Sequence, residues 1–146
     1  MSPKEAERMN EKISPLILFA VALVFIGCGE RETPTPTHMV FGTLTSTSID
    51  PGNRVAWIKL VAAEGNLTDS ALYSSSCLFQ GPGCDYSMLF VPEGEYSMYA
   101  LVDMNGNTEE PALVPDSGDL VTFGKPLILW SKTQVDFPDT AWHLMP

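Results

Sequence analysis

The chain has 146 residues, 45% of them hydrophobic, and its 18 acidic against 8 basic side chains give a formal net charge of −10. Three acidic and three basic residues precede Cys28, so the acidic excess belongs to the part that follows. Nucleic-acid phosphates and anionic lipid headgroups repel such a charge, which excludes both as partners of the folded part. The length after Cys28 suits one domain and is too short for two.

The chain opens with an apolar segment of signal-peptide length. Residues 13–27 read ISPLILFAVALVFIG, follow Lys12 and end directly before Cys28. A membrane-spanning helix needs about 20 residues, so this run is short for a span. We predict a signal-peptide helix within a leader of residues 1–27. A plain signal peptide or an uncleaved anchor is the alternative.

The end of this segment, Phe25-Ile26-Gly27-Cys28, resembles the processing site of bacterial lipoproteins. In that family the leader is cut before the cysteine, which becomes N-terminal and carries lipid, including palmitate. The resemblance implies that Cys28 holds the protein on the bacterial cell envelope, at a periplasmic or outer-membrane face or at the cell surface. Two or more acyl chains anchor a protein stably. Residues 28–38, polar and rich in Pro and Thr, are predicted to be a disordered tether.

Residues 39–146 are predicted to form one all-β domain. Apolar and polar side chains alternate over short segments that are separated by turns rich in Gly, Pro, Asp and Asn. This pattern favours an antiparallel two-sheet sandwich. The predicted strands are 40–44, 55–62, 71–79, 86–90, 96–102, 120–123, 126–130, 133–137 and 142–145. The segments on either side of Ser131-Lys132 are predicted to be the last hairpin.

The inward faces of these strands supply the expected core. Its members are Val40, Leu44, Ile58, Leu60, Met88, Phe90, Tyr96, Met98, Ala100, Leu127, Leu129, Val135 and Phe137. Gly42 lies inside the first strand, where a missing side chain allows a neighbouring strand to approach closely or a bulge to form. Tyr96 is expected to keep its hydroxyl hydrogen-bonded near the sheet edge.

Cys77 and Cys84 form an even pair once Cys28 is assigned to lipid. Gly81-Pro82-Gly83 can reverse the chain between them, so that the two sulfur atoms meet across the end of a hairpin. An oxidising compartment lets the bond persist, and we predict a structural disulfide. A metal site is the alternative, but two cysteines without a nearby histidine make a poor zinc set.

The most informative stretch is residues 91–119. It reads P-x-G-x-Y from Pro92, then an apolar strand, then D-x-N-G-N from Asp103 and P-D-x-G-D from Pro115. This order resembles the prealbumin-like β-sandwich modules: carboxypeptidase regulatory-like domains, the B repeats of collagen-binding adhesins and related bacterial lipoprotein domains. The resemblance covers residues 40–144 and implies a Greek-key sandwich that binds calcium or serves as a structural spacer.

The acidic loop after the fifth strand carries the candidate metal ligands. Calcium prefers about six to eight oxygen ligands, and carboxylate and amide oxygens recur at alternate positions here. The predicted set is Asp103, Asn105, Asn107, Glu109, Asp116 and Asp119, with Glu110 as a substitute for its neighbour. Gly106 at the fourth position and Val114 in place of a glutamate depart from a helix-loop-helix calcium site. The alternative is a solvated loop in which Asn-Gly-Asn supplies turn conformations.

The chain lacks the common catalytic motifs. Its two histidines, His38 and His143, lie near the two ends of the domain, and no G-x-S-x-G, H-E-x-x-H or phosphate-loop pattern occurs. We therefore predict a protein that is not an enzyme: a membrane-anchored interaction or structural module that meets an unknown envelope protein or a glycan. The alternative is a module that binds a glycan or small ligand on exposed tryptophans, namely Trp57 or Trp130, with Trp142 as a third candidate.

Overall fold

A computed structural model describes residues 33–110 and 112–146, so the predicted leader, Cys28 and the first part of the tether lie outside the described residues. Thr35–Pro146 forms one unit. Its elements are β1 Thr37–Thr45, β2 Val55–Ala62, β3 Tyr73–Leu78, β4 Gly83–Pro92, β5 Gly94–Val102, β6 Leu120–Thr122, β7 Lys125–Leu129, β8 Thr133–Gln134, a 3-10 turn Asp139–Ala141 and β9 Trp142–Leu144. Within these ranges no helix has the length and apolar character needed to cross a membrane.

The strands form two sheets, as the alternating pattern predicted, and the domain is all-β. One sheet has three strands in the order β4-β1-β8. The larger sheet has the order β3-β2-β5-β6-β9, and β7 also pairs with β5. The expectation of a wholly antiparallel arrangement needs one correction, because β8 runs parallel to β1. The first strand also begins at Thr37, so the last two residues assigned to the tether belong to the domain.

The core lies between the two sheets and confirms the predicted list apart from two residues. Val135 is only half-buried, and Phe90 is 76% exposed. The register of β1 against β4 explains Phe90: Val40 pairs with Met88 and His38 with Val91, so Leu89 and Phe90 both stand opposite Met39. This bulge moves the alternation by one residue and gives the buried position to Val91.

The predicted last hairpin is wrong. Strand β7 pairs with β5 in the larger sheet, whereas β8 pairs with β1 in the other sheet, so residues 130–132 carry the chain between sheets. The segment that follows this crossing packs closely against Gly42, as the missing side chain at that position predicted. A Cβ on Gly42 would lie 2.0 Å from the carbonyl oxygen of Val135, whose N–H donates to Phe41.

A second, smaller apolar cluster covers the outer face of the larger sheet. Leu101, Leu113 and Val121 are its buried members, and Trp57 packs against them. Leu113 belongs to the loop between β5 and β6, which therefore folds back over the sheet. This coverage makes β2 buried on both faces at its centre, where Lys59 is 0% exposed.

Candidate functional site

The acidic loop leaves and rejoins the larger sheet at one place. Val102 at the end of β5 pairs with Leu120 at the start of β6, so residues 103–119 close a loop at that end of the sandwich. The start of β2 lies beside it, because Ala56 also pairs with Val102. The paired strands thus hold the two ends of the loop in fixed positions.

Asp103 organises the first part of this loop. Its carboxylate accepts backbone hydrogen bonds from Gly106 (2.6 Å), Thr108 (2.8 Å), and Asn105 and Asn107 (both 3.2 Å). Burial alone would raise the pKa of Asp103, but these four N–H groups outweigh it and hold the pKa below its ordinary value. The carboxylate therefore closes a turn by taking up backbone donors.

Two further carboxylates tie the second part of the loop to the first. The side-chain amide groups of Asn105 and Asn107 donate to Asp116 at 2.7 and 2.5 Å. Asp119 is buried and accepts the N–H of Met104 at 2.9 Å and that of Asp116 at 3.0 Å. Five of the six predicted ligands are thus brought together, and they bind one another.

Hydrogen bonds within the loop already engage the side chains that the predicted calcium shell would use. Calcium prefers carboxylate and amide oxygens, whereas here the oxygens of Asp103 and Asp119 accept N–H groups and both amides turn nitrogen toward Asp116. Glu109 is exposed, and its carbonyl group accepts the N–H of Leu113. In the described part of the chain, no group of three or more His, Cys, Asp or Glu side chains is placed to hold a metal. The hydrogen bonds support the turn interpretation, and calcium binding stays a prediction.

A cleft of about 330 Å³ lies between this loop and the start of β2. Its walls include Trp57, Arg54, Asp103 and Thr108. The hydroxyl of Thr108 is buried and has no hydrogen-bond partner among the described residues. An indole and a guanidinium group on the wall of a cleft are groups that hold a small polar ligand. The structure thus joins two candidates, Trp57 and Asp103, that the sequence offered separately.

The three tryptophans do not form one platform. Trp130 is 63% exposed and follows Leu129, which pairs with Gly94 at the start of β5, whereas Trp57 pairs with Leu101 near its end. Trp142 is buried in the core and donates to the carbonyl of Thr45 at 2.8 Å. The stacking surface expected from several tryptophans together is therefore not assembled.

Lys59 is a buried charged residue that sequence reasoning missed. Its ammonium group donates 2.9 Å hydrogen bonds to the carbonyl oxygens of Asp69 and Leu113. Burial lowers the pKa of Lys59 to about 8, and the charge of Asp69 opposes the shift. The only sequence signal is a charged residue at the centre of the otherwise apolar strand VAWIKLVA.

The predicted partners Cys77 and Cys84 lie at disulfide distance, with sulfur atoms 2.10 Å apart. Their setting differs from the hairpin that was expected, because β3 belongs to the larger sheet and β4 to the three-stranded one. The hydroxyl of Ser75 also donates to the carbonyl of Ser87 across this boundary at 2.7 Å. The cysteine pair therefore joins the two sheets along one side of the sandwich.

The two histidines are held apart on different sheets. His38 in β1 contacts Glu93 at 2.9 Å, and His143 in β9 stacks on Phe123 with ring centroids 4.4 Å apart.

A scan against protein-family models and searches of curated proteins and of solved structures found no match to this chain.

Proposed function

We propose that this protein is a membrane-anchored, non-catalytic lipoprotein of the bacterial cell envelope, with a prealbumin-like Greek-key sandwich that acts as an interaction or structural module. The observation that carries the proposal is the sequence Phe25-Ile26-Gly27-Cys28 at the end of an apolar run, followed by a polar segment and then by a separate β domain. That order is what an exported, lipid-held domain requires.

The spacing between Cys28 and the domain supports the anchoring role. Thr37, where β1 begins, lies nine positions after Cys28. An extended chain spans about 3.3–3.6 Å per residue, so this segment reaches about 30 Å at most. A lipid on Cys28 would therefore keep the domain close to the bilayer, in contact with molecules at the envelope surface.

The surroundings of the polar side chains support a non-catalytic role. A general base must lie within hydrogen-bond reach of the group that it activates. His38 contacts Glu93, and His143 lies on the other sheet against Phe123. Ser75, in the serine-rich strand β3, donates its hydroxyl proton to a backbone carbonyl of β4. These contacts stabilise the fold and do not build a nucleophile with its base.

The cleft beside Trp57 favours a second candidate function, the binding of a small polar ligand. Arg54 and Asp103 give it groups of opposite charge beside the indole, which suit a neutral, hydroxyl-rich ligand such as a sugar. Tryptophan fluorescence of the wild type, titrated with sugars and sugar acids, tests this candidate. Binding should be lost in Trp57→Phe and Arg54→Ala but kept in the matched surface variant Trp130→Phe.

Fractionation of cells that produce the full chain tests the anchored-module proposal. The wild type should sediment with membranes and resist extraction by high salt, whereas Cys28→Ser should be released. In-cell crosslinking of the wild type should then recover the same envelope component repeatedly. Equal amounts of wild type and Cys28→Ser in the soluble fraction would contradict the proposal.

A further inference from the structure

The outer face of the three-stranded sheet carries an apolar surface, here called the outer patch: Met39, Phe41, Leu89 and Phe90. Val40, Gly42 and Leu44 of β1 point into the core, so the alternate side chains, including those of Met39 and Phe41, point outward. Leu89 is 56% and Phe90 76% exposed. Both stand opposite Met39 in the register of β1 against β4, which makes the patch continuous across the two strands.

The backbone at Phe90 shows that exposure of this ring is built into the fold. Phe90 has a φ of 60°, a left-handed conformation that is unfavourable for a bulky side chain. In a regular strand the alternation after Met88 would bury Phe90 and expose Val91, but the bulge reverses the two. A strained residue that turns an aromatic ring into water indicates a contact surface.

The outer patch lies at the end of the sandwich where the tether enters. Thr37, the first residue of β1, pairs with Pro92, and the carbonyl group of Pro36 accepts the N–H of Glu93 at 3.0 Å. Phe90 is thus two residues from the strand pair at which the chain joins the domain. A membrane that holds Cys28 would lie within about 30 Å of this point.

The charges around the patch suit a neutral lipid surface. The ammonium group of Lys132 lies 4.7 Å from the centre of the Phe41 ring and places a cation at the margin. Glu93, the carboxylate next to the tether entry, lies 2.9 Å from the ring nitrogen of His38, which neutralises its charge only when the imidazole is protonated. The net charge of −10 nevertheless disfavours anionic lipids, so the surface that fits is one of zwitterionic headgroups.

We propose that the outer patch is a second membrane contact, in which Leu89 and Phe90 insert between zwitterionic headgroups and orient the tethered domain. The proposal rests on the proposed lipidation of Cys28. A tether raises the effective concentration of the patch at the bilayer, so a shallow insertion that would be too weak by itself suffices. Phenylalanine and leucine are typical of the faces that peripheral proteins bury at the boundary between headgroups and acyl chains.

The test places a small apolar fluorophore on the patch of the lipidated chain, where at position 90 it takes the place of the Phe90 ring. Phe90→Cys and Leu144→Cys are made in the processed protein, where Cys28 is acylated and Cys77 is bonded to Cys84, so the new thiol reacts alone. Leu144 is a matched control: it is 55% exposed and pairs with Leu120 at the opposite end of the sandwich. In phosphatidylcholine vesicles the label at position 90 should shift to shorter wavelength and be quenched by brominated lipid, while the label at position 144 should show neither effect.

A second variant separates contact from folding. A label on Met39→Cys should also be quenched by brominated lipid, and this quenching should be lost when Phe90→Asn is added. Asparagine adopts a positive φ readily, so the double variant should melt no lower than Met39→Cys. Quenching that survives Phe90→Asn would overturn the role given to Phe90.

The remaining outcomes distinguish the patch from the anchor. The mass of the N-terminal peptide reports acylation independently of the labels. An acylated chain that is quenched equally at positions 90 and 144 would overturn the outer patch and leave the anchor in place. A wavelength shift that disappears at one protein per vesicle would assign the patch to self-association and would also overturn the proposal.

Discussion

The ammonium group of Lys59 donates a 2.9 Å hydrogen bond to the carbonyl oxygen of Leu113 and so joins the centre of β2 to the acidic loop. Leu113 has a φ of 47°, which is unfavourable for a leucine, and its side chain is fully buried. A second bond from the same nitrogen, to the carbonyl of Asp69, holds the loop between β2 and β3. One buried side chain therefore stabilises both loops that cover the outer face of the larger sheet.

Replacing Lys59 with methionine should destabilise the domain at high pH. Two carbonyl groups lose their donor, which is worth about 1–3 kcal/mol for each buried group left unsatisfied. Burial lowers the pKa of Lys59 to about 8 from 10.5. Between these values the unfolded chain binds the additional proton, so the contribution of Lys59 to stability rises with pH.

Urea unfolding of the wild type and Lys59→Met, from below pH 8 to about pH 10, measures this effect. The free energy of unfolding of the wild type, minus that of Lys59→Met, should increase as pH rises. Comparing the two proteins cancels the titration of the tyrosines, which both contain. A difference that falls over this range would contradict the assigned role of burial.

Replacing Asp103 with alanine should loosen the acidic loop with or without calcium. Four backbone N–H groups lose their acceptor, and we expect a loss of about 1–3 kcal/mol in the free energy of unfolding. Because its folded pKa lies below the usual value, the stabilisation by Asp103 is present above the unfolded pKa and is lost as pH falls through the folded one.

Thermal melts in millimolar calcium and in chelator separate the turn from a metal site. If the loop is a turn held by its own hydrogen bonds, the wild type melts at the same temperature in both, and Asp103→Ala melts lower by the same amount in both. A wild-type melting temperature that rises with calcium, and that does not rise in Asp103→Ala, would show that the loop rearranges into the predicted shell.

Replacing Gly42 with alanine should lower the free energy of unfolding, because the steric clash in the folded state outweighs the reduced backbone freedom of the unfolded chain. The added Cβ would lie 2.0 Å from the carbonyl oxygen of Val135, and backbone atoms must then move. We expect a loss above about 3 kcal/mol, the upper end for overpacking. Gly106→Ala is the matched control: it has a φ of 80° but open space, so strain of about 1–2 kcal/mol should be its whole effect. Equal losses in urea unfolding would disprove the close approach.

Removing the bond between Cys77 and Cys84 should weaken the contact between β3 and β4. The two residues are separated by 7 positions, and closing so short a loop stabilises a fold by about 2–3 kcal/mol in the chain-entropy treatment. The double variant Cys77→Ser, Cys84→Ser should therefore unfold at a lower urea concentration than the wild type. A reductant should lower the urea midpoint of the wild type only. Amide exchange should quicken first at Phe79 and Gln80, which lie between the two cysteines and donate their N–H groups to the carbonyls of Arg54 and Gly83. Unchanged stability would contradict the role given to the bond.

The fold was largely predictable because the alternation of apolar and polar side chains shows, for each strand separately, which face is buried. It located Ile58 and Leu60 in the core and gave β2 with its observed bounds. It failed at Phe90, since a bulge leaves no mark in the pattern. It also failed at residues 126–137, because β7 and β8 each alternate correctly while pairing with strands far away in the chain.

The candidate site was predictable in its residues but not in their partners. The spacing of Asp103, Asn105 and Asn107 suggested ligands for a cation, and the same spacing lets backbone N–H groups reach Asp103. A sequence does not show which way an amide group turns. Lys59 was missed for a related reason: the carbonyl groups that satisfy it belong to loops without any period to follow.

The most direct test of the central claim, lipid attachment at Cys28, is the mass of the N-terminal peptide of the mature protein purified from bacterial membranes. The account predicts a peptide that begins at Cys28 and carries acyl chains, and its absence from Cys28→Ser. A mature chain that retains residues 1–27, or that begins elsewhere with an unmodified cysteine, would contradict the account.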